Sequence, residues 1–363
     1  MSFDISGISA VVIHLPMIAF ITRKLLYGVF VLLGVVVLVF WVFQGFADPS
    51  RLVMGQTGDS TTIANIKKEL YLDQPKWKQF VLYLNDISPV SYYSTEEIAK
   101  KKLKGFFIGN DSKLVLKIPY LRTSYQSKRD VWDILLEALP LTILLAVAAM
   151  FIATVFGIGL GVLAAVKQNT WMDSSAIFAS VVGISAPSFF MAIIIAYLFG
   201  FLWSHYTGLH LTGSLFDYDV SGRTLQLKNL LLPAITLGIR PLAIITQLTR
   251  SAMLDVLNQD YIRTAYAKGL SKQTVIWKHG LRNALNPVIT AITGWFAELL
   301  AGAFFVEYIF GWKGIGKVTV DALDKLDYPV VMGSVLLSAF IFVLVNILAD
   351  ILYGIIDPRV RLK

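Results

Sequence analysis

Residues 134–166 read ILLEALPLTILLAVAAMFIATVFGIGLGVLAAV, an apolar run of 33 residues in which Glu137 is the sole charge. A helix rises 1.5 Å per residue and the hydrocarbon core of a bilayer is about 30 Å thick, so about 20 such residues cross it. Only a helix or a closed barrel satisfies its own backbone there, and a continuous apolar run reads as the helix. Pro140 lies near the start of the run, where a missing amide donor is tolerated. Gly157, Gly159 and Gly161 let helix backbones approach closely and read as packing positions rather than as a ligand loop.

Working outward, five further stretches have the same character: Leu25 to Phe46 before this run, and after it Ser174 to Trp203, Leu230 to Met253, Leu285 to Tyr308 and Val330 to Ile356. Pro187 predicts a kink in the third of the six spans. The balance of the whole chain agrees, with 363 residues, 56% hydrophobic, 15% charged and a mean hydropathy of +0.66. A soluble protein of this length carries far more polar surface. Cysteine is absent, which excludes disulfides and thiolate metal sites, and four scattered histidines make no metal centre. The net charge of +8 fits basic flanks beside anionic lipid, and nucleic acid is not an expected partner. Residues 1–24 carry an acid near the start and no base before Arg23, unlike a cleaved signal, and read as an interfacial lead-in. The expected fold is an all-α integral membrane protein with six transmembrane helices. Residues 25–46 form the first helix, 47–131 an external subdomain, 134–356 a five-helix core containing the loop 254–284, and 357–363 a tail.

Orientation follows from the short loops. With the amino terminus inside, Arg23, Lys24, Lys167, Arg250, the bases of 254–284 and Arg359, Arg361 and Lys363 are internal. The short external loops hold Arg223, Lys228, Lys313, Lys317 and Lys325, an asymmetry in keeping with the positive-inside rule. GWKGIGKV, residues 311–318, spells the glycine pattern of a phosphate-binding loop. No strand precedes it, Val318 stands where a magnesium-binding hydroxyl belongs, and it falls on the outer side. It reads as a tight turn or short re-entrant element.

The internal loop NQDYIRTAYAKGLSKQTVIWKHGLRNALNP, 258–287, is basic and helix-prone. It reads as two short amphipathic helices joined at Gly269, lying on lipid headgroups or docking a cytoplasmic partner. Its DYIRTAYAKGL and LRNALNPV resemble the coupling-loop signature of the permease subunits of ABC importers for peptides and nickel, of the dipeptide and oligopeptide type. In the general E-A-A-x-x-x-G form only Ala265 and Gly269 match, Arg263 and Thr264 being the variant of the peptide branch; Leu281 fits the later part of the motif. ADPSRLVMGQ, KKELYLDQPKWKQFVLYL, LPLTI, SAPSFF, LLPAITLG, LTRSAMLDVL, DYPVVMGSVLL and LVNILADILYGIIDPRVRL carry the resemblance along nearly the whole chain. Two departures are an insertion at about 88–116 and Lys313 where proline is common.

The resemblance implies a non-catalytic half-channel in the bacterial inner membrane. Its implied partners are a homologous second permease, two cytoplasmic ATPase subunits that hold the ATP and magnesium, and an extracytoplasmic solute-binding protein. It implies ATPase coupling by Asp260, Arg263, Thr264, Ala265, Lys268, Gly269, Leu270 and Leu281, with Gly269 permitting the turn and Ala265 a close approach to the motor. This chain itself would hold no cofactor. A nickel-chelate permease is the alternative within the family, and an ion-driven secondary transporter the alternative outside it. The residues add one expectation of their own. Arg240 and Glu298 fall near the middle of the fourth and fifth spans, where lone charges are costly, so they pair or jointly line a pathway, or else Arg240 caps carbonyls near Pro241 and Glu298 binds another polar group.

Overall fold

The computed structural model describes residues 6–45, 71–109, 112–219, 222–301 and 303–356. The first part of the external subdomain, 47–70, and the tail 357–363 lie outside the described residues. Among those described, five helices are long and apolar enough to cross a membrane. A bent pair makes a sixth crossing if its two limbs are one span. The chain divides into two compact units. The larger is built on Pro140–Lys317 with the distal parts of the first and last helices, the smaller on Gly28–Leu139 with Val318–Phe340.

Helix α1 (Ser6–Gly45) is continuous, so the stretch expected to be a separate lead-in is helical from Ser6 onward. In the smaller unit, Phe40 of α1 is fully buried against Phe80 and Tyr83 of α2 (Lys76–Ile87), with ring centroids 5.0 and 5.7 Å away. The insertion forms strand β1 (Val90–Ser94), helix α3 (Thr95–Lys100) and strands β2 (Gly105–Ile108) and β3 (Ser112–Lys117), antiparallel in the order β1-β3-β2. These two sheets' worth of strands, here and in a later hairpin, are additions to the helical fold that the apolar runs did not signal. Asp86, buried at the end of α2, organises the insertion: Lys101 and Arg122 pair with its carboxylate and the Tyr93 hydroxyl donates to it at 2.9 Å. Lys117 reaches the Ser88 carbonyl at 3.1 Å, and its burial lowers its pKa to about 8. On the opposite face Val90, Tyr92, Phe106, Ile108, Leu114 and Leu116 are exposed together, as the register places them.

Helix α4 (Val131–Val166) contains the opening run, with Pro140 well inside it. Helix α5 (Trp171–Ser185) and helix α6 (Ser188–Ile195, continued by a π-helical turn to Leu202) are bent 109° at Ala186–Pro187. The predicted kink is thus a break, because proline lacks the amide that would carry the helix on. Strands β4 (Phe216–Asp219) and β5 (Gly222–Leu225) form a hairpin before α7 (Lys228–Leu257). Helix α8 (Asp260–Ala267) follows, then α9 (Lys272–Thr274), a π-helical turn Val275–Leu281 and α10 (Arg282–Ala301). The fifth spanning helix therefore stops at Ala301, and α11 (Phe304–Ile309) is a separate helix where the apolar run predicted continuation to Tyr308. Helix α12 (Ile315–Asp324) precedes the last span, α13 (Tyr328–Ile356).

Within the larger unit α7 is the hub, touching α4, α5, α6, α10 and α11. It is reached where side chains are missing. A Cβ on Gly161 would fall 2.5 Å from the Thr249 side chain and 2.7 Å from the Thr246 carbonyl, whereas one on Gly159 meets nothing within 4 Å. Such small-residue contacts supply dispersion where lipid offers no hydrophobic drive for helices to associate. Gly161→Val is accordingly expected to cost about 1–3 kcal/mol through overpacking and to lower the yield of monodisperse protein. Gly159→Ala is expected to leave both yield and thermal midpoint unchanged. Fluorescence-detected size exclusion during a thermal ramp checks both, and equal behaviour of the two variants contradicts the close approach.

Candidate functional site

Two regions of the larger unit gather the predicted residues. The first is the loop after α7. Gln259, extended, turns the chain into α8, and Gly269 adopts φ +78°, a left-handed value that disfavours any side chain. Ser271 then caps α9 by accepting from the Thr274 amide. Ile262 and Ala265 face inward and pack on Val275, with Val256 and Leu257 beside them. Leu281 packs in a second cluster with Val162, Ala165, Met253, Ile276 and Ala284. The loop is thereby fastened to the ends of α4 and α7.

Asp260, Arg263, Thr264, Lys268 and Leu270 remain exposed, with Asp260 and Arg263 3.6 Å apart in a solvent-screened pair. Ala265 is 7% exposed, its small side chain packing on Val275 of the same chain. Tyr261, Tyr266 and Trp277 are exposed as well, adding aromatic surface that the motif match did not single out. Below the loop, Arg250 grips the buried carboxylate of Asp173 through two hydrogen bonds, the Nη2 bond at 2.7 Å. The Asn169 amide donates to the same carboxylate at 3.0 Å. This fork ties α5 to α7, where the sequence marks Arg250 only as a basic residue.

The second region is a cavity of about 320 Å³ between the α5–α6 break, α7, α10 and α11. Arg240 and Glu298 both line it and both are exposed. They are not paired: the partner of the Arg240 guanidinium is the Trp295 ring, its centroid 5.4 Å away. Trp295 and Glu298 stand three apart on α10 and so share a face. Glu298 lies one turn from the end of α10 at Ala301, not at mid-helix as the longer predicted span placed it.

Beside the cavity, the glycine stretch of 311–318 turns out to hold an anion of the chain's own. Glu307, fully buried, accepts from the Gly316 amide at 2.7 Å, the Lys317 amide at 3.2 Å and the Thr142 hydroxyl at 2.8 Å. A Cβ on Gly314 would overlap the carboxylate, and Gly311 turns at φ +67°. Trp312, fully buried, donates through its indole to the Leu141 carbonyl at 2.9 Å. Burial pushes the Glu307 carboxyl up to about 7, against its three hydrogen bonds, which favour the charged form. A carboxylate inside the apolar run LLAGAFFVEYIF was the available signal, masked by reading that run as one span.

The family model described as "Binding-protein-dependent transport system inner membrane component" matches residues 157–362, and its N-terminal companion matches 17–146. The dipeptide transport system permease protein DppB of Escherichia coli K12 is 36% identical, covering 96% of this chain and 100% of that protein. The DppB of Alkalihalophilus pseudofirmus is 34% identical over 95% of this chain and 100% of that protein. The glutathione transport system permease protein GsiC of Salmonella paratyphi A is 34% identical over 96% and 100%.

The cavity geometry predicts independence of its two charges. The double variant Arg240→Met with Glu298→Gln is expected to lose stability equal to the sum of the single losses, within about 0.5 kcal/mol. Thermal unfolding of the purified protein for all four forms checks this, and a coupling above about 1 kcal/mol contradicts the unpaired arrangement.

Proposed function

This chain belongs to the family of binding-protein-dependent transport system inner membrane components, and from that premise we propose that it is the permease of an ATP-driven importer of di- or oligopeptides. Support for the cargo class comes from relatives matched over nearly their full lengths, two of them dipeptide permeases and one a glutathione permease. In this reading the chain pairs with a homologous second permease, two ATPase subunits seat on the two coupling loops, and a solute-binding protein delivers cargo outside. ATP and magnesium belong to the ATPase subunits, and this chain performs no covalent chemistry. The amino terminus and the 254–284 loop face the cytoplasm, and the insertion with its exposed apolar sheet face lies outside, in reach of the binding protein.

One observation carries the coupling role: the exposed turn at Gly269, whose two flanking helices are clamped by Ile262, Ala265, Val275 and Leu281 to the ends of α4 and α7. Force applied at Arg263, Lys268 and Leu270 passes through packed side chains into spanning helices, with no flexible linker between. The cavity lined by Arg240 and Glu298 is then part of the passage.

Gly269→Val tests the assignment. A β-branched residue is strained at φ +78° by about 1–2 kcal/mol, enough to shift the turn without unfolding the spans. In the complex assembled with its partner subunits, membrane insertion is expected to be normal, while peptide uptake and transport-stimulated ATP hydrolysis fall at least about five-fold. Unchanged uptake and hydrolysis would remove Gly269 from the coupling path.

A further inference from the structure

The cavity beside the α5–α6 break holds one cation and one anion that ignore each other. Arg240 comes from α7 and Glu298 from α10, and each is exposed rather than buried in a pair. Arg240 is positioned by the face of Trp295, which leaves the edge of its guanidinium, where the N–H donors lie, free for a planar acceptor. Glu298, one turn along the same helix, accepts hydrogen bonds and has none among the described residues. The remaining wall is apolar and aromatic: Met191, Leu299 and the Phe189–Phe305 pair, whose rings lie 6.2 Å apart. Charges left open in an apolar segment need water, a partner group or a ligand of opposite sign.

We propose that this cavity is a recognition subsite for a zwitterion with free ammonium and carboxylate groups, the two termini of a short peptide. Arg240 takes the carboxylate, Glu298 takes the ammonium, and the aromatic wall receives side chains without reading their identity. The inference rests on the peptide-importer reading and adds to it a selectivity element inside the permease. The volume of about 320 Å³ is at the small end of ligand pockets, which suits a peptide of two residues better than a folded or long one. Two fixed charges of opposite sign select for the ends of the backbone, the one feature that all short peptides share. Because Arg240 does not bond to Glu298, binding breaks no ion pair, so recognition avoids the loss that a preformed bridge would impose. Trp295 is a positioning residue here, acting through Arg240.

The test uses the complete transporter in proteoliposomes with its binding protein, and three probes: dialanine, N-acetyl-dialanine and dialanine amide. Uptake of each by a variant is divided by its uptake by the wild-type complex, which cancels the preference of the common binding protein. Glu298→Gln is expected to cut dialanine and its amide at least about ten-fold while leaving the N-acetyl form within about two-fold. Arg240→Gln is expected to cut dialanine and its N-acetyl form while sparing the amide. A second readout covers probes that the binding protein rejects. Since the chain has no cysteine, Ser188→Cys places one thiol on the cavity wall, and dialanine is expected to slow its labelling in the assembled complex. Equal loss of all three probes, or no loss with no protection of the thiol, overturns the subsite. A wild-type complex that accumulates no peptide with ATP overturns the importer reading instead, and the subsite with it.

Discussion

The close approach of α4 to α7 sets the rest of the larger unit. At Gly157 and Gly161 there is no room for a side chain against Ile245 and Thr249, and a Cβ on Gly238 would fall 2.8 Å from the carbonyl oxygen of Ala149. In lipid such contacts supply the packing that the hydrophobic effect supplies in water. With α7 held there, its length distributes three different groups. Arg240 reaches the cavity, Arg250 reaches Asp173 on α5, and the last turn, with Val256 and Leu257, seats the loop helices. A change of tilt in α7 therefore moves the cavity wall and the loop together, which is the mechanical property that an ATP-driven permease needs.

Glu307 solves a related problem at the other end of α10. A buried carboxylate in an apolar setting is costly unless its oxygens are hydrogen-bonded. Here the first amides of α12 and the Thr142 hydroxyl surround it, and glycines at 314 and 316 make the space. The geometry is that of helix-terminus anion binding, with the anion supplied by the chain. The phosphate-loop likeness of GWKGIGK thus has a physical basis, amides converging on the Glu307 carboxylate. The same contact fixes α11, whose neighbours Ala303 to Val306 form one wall of the cavity.

Hydropathy made the spanning helices legible, since twenty apolar residues in lipid have few alternatives. Pro187 announced the break between α5 and α6, and Gly269 the turn between the loop helices, because each residue constrains its own backbone whatever surrounds it. The insertion was less legible. Its sheet depends on Asp86 being met by Lys101 and Arg122, a convergence of residues 15 and 36 positions away that no local pattern displays. Ala265 was marked by its motif and its contact with Val275 was not, since a motif records which residue stands at a position and not which way it points. The end of α10 was missed because LLAGAFFVEYIF scores as one apolar run, while Glu307 must leave that run to find its donors. Arg240 and Glu298 were flagged by charge, and only the three-dimensional arrangement shows Trp295 between the alternatives of pairing and remaining apart.

In the proposed coupling, force enters through the 254–284 loop. A cysteine-free chain allows one thiol to be placed at Lys268, on the exposed side of the Gly269 turn, and another at Gly159, which packs against nothing. Photo-crosslinking from each thiol in native membranes, followed by identification of the captured chain, measures what the loop touches. Capture of an ATPase subunit from position 268, changing in extent when ATP is bound, and none from position 159 is the predicted result. Capture of lipid alone from position 268, in membranes where the ATPase subunits are present, would contradict it.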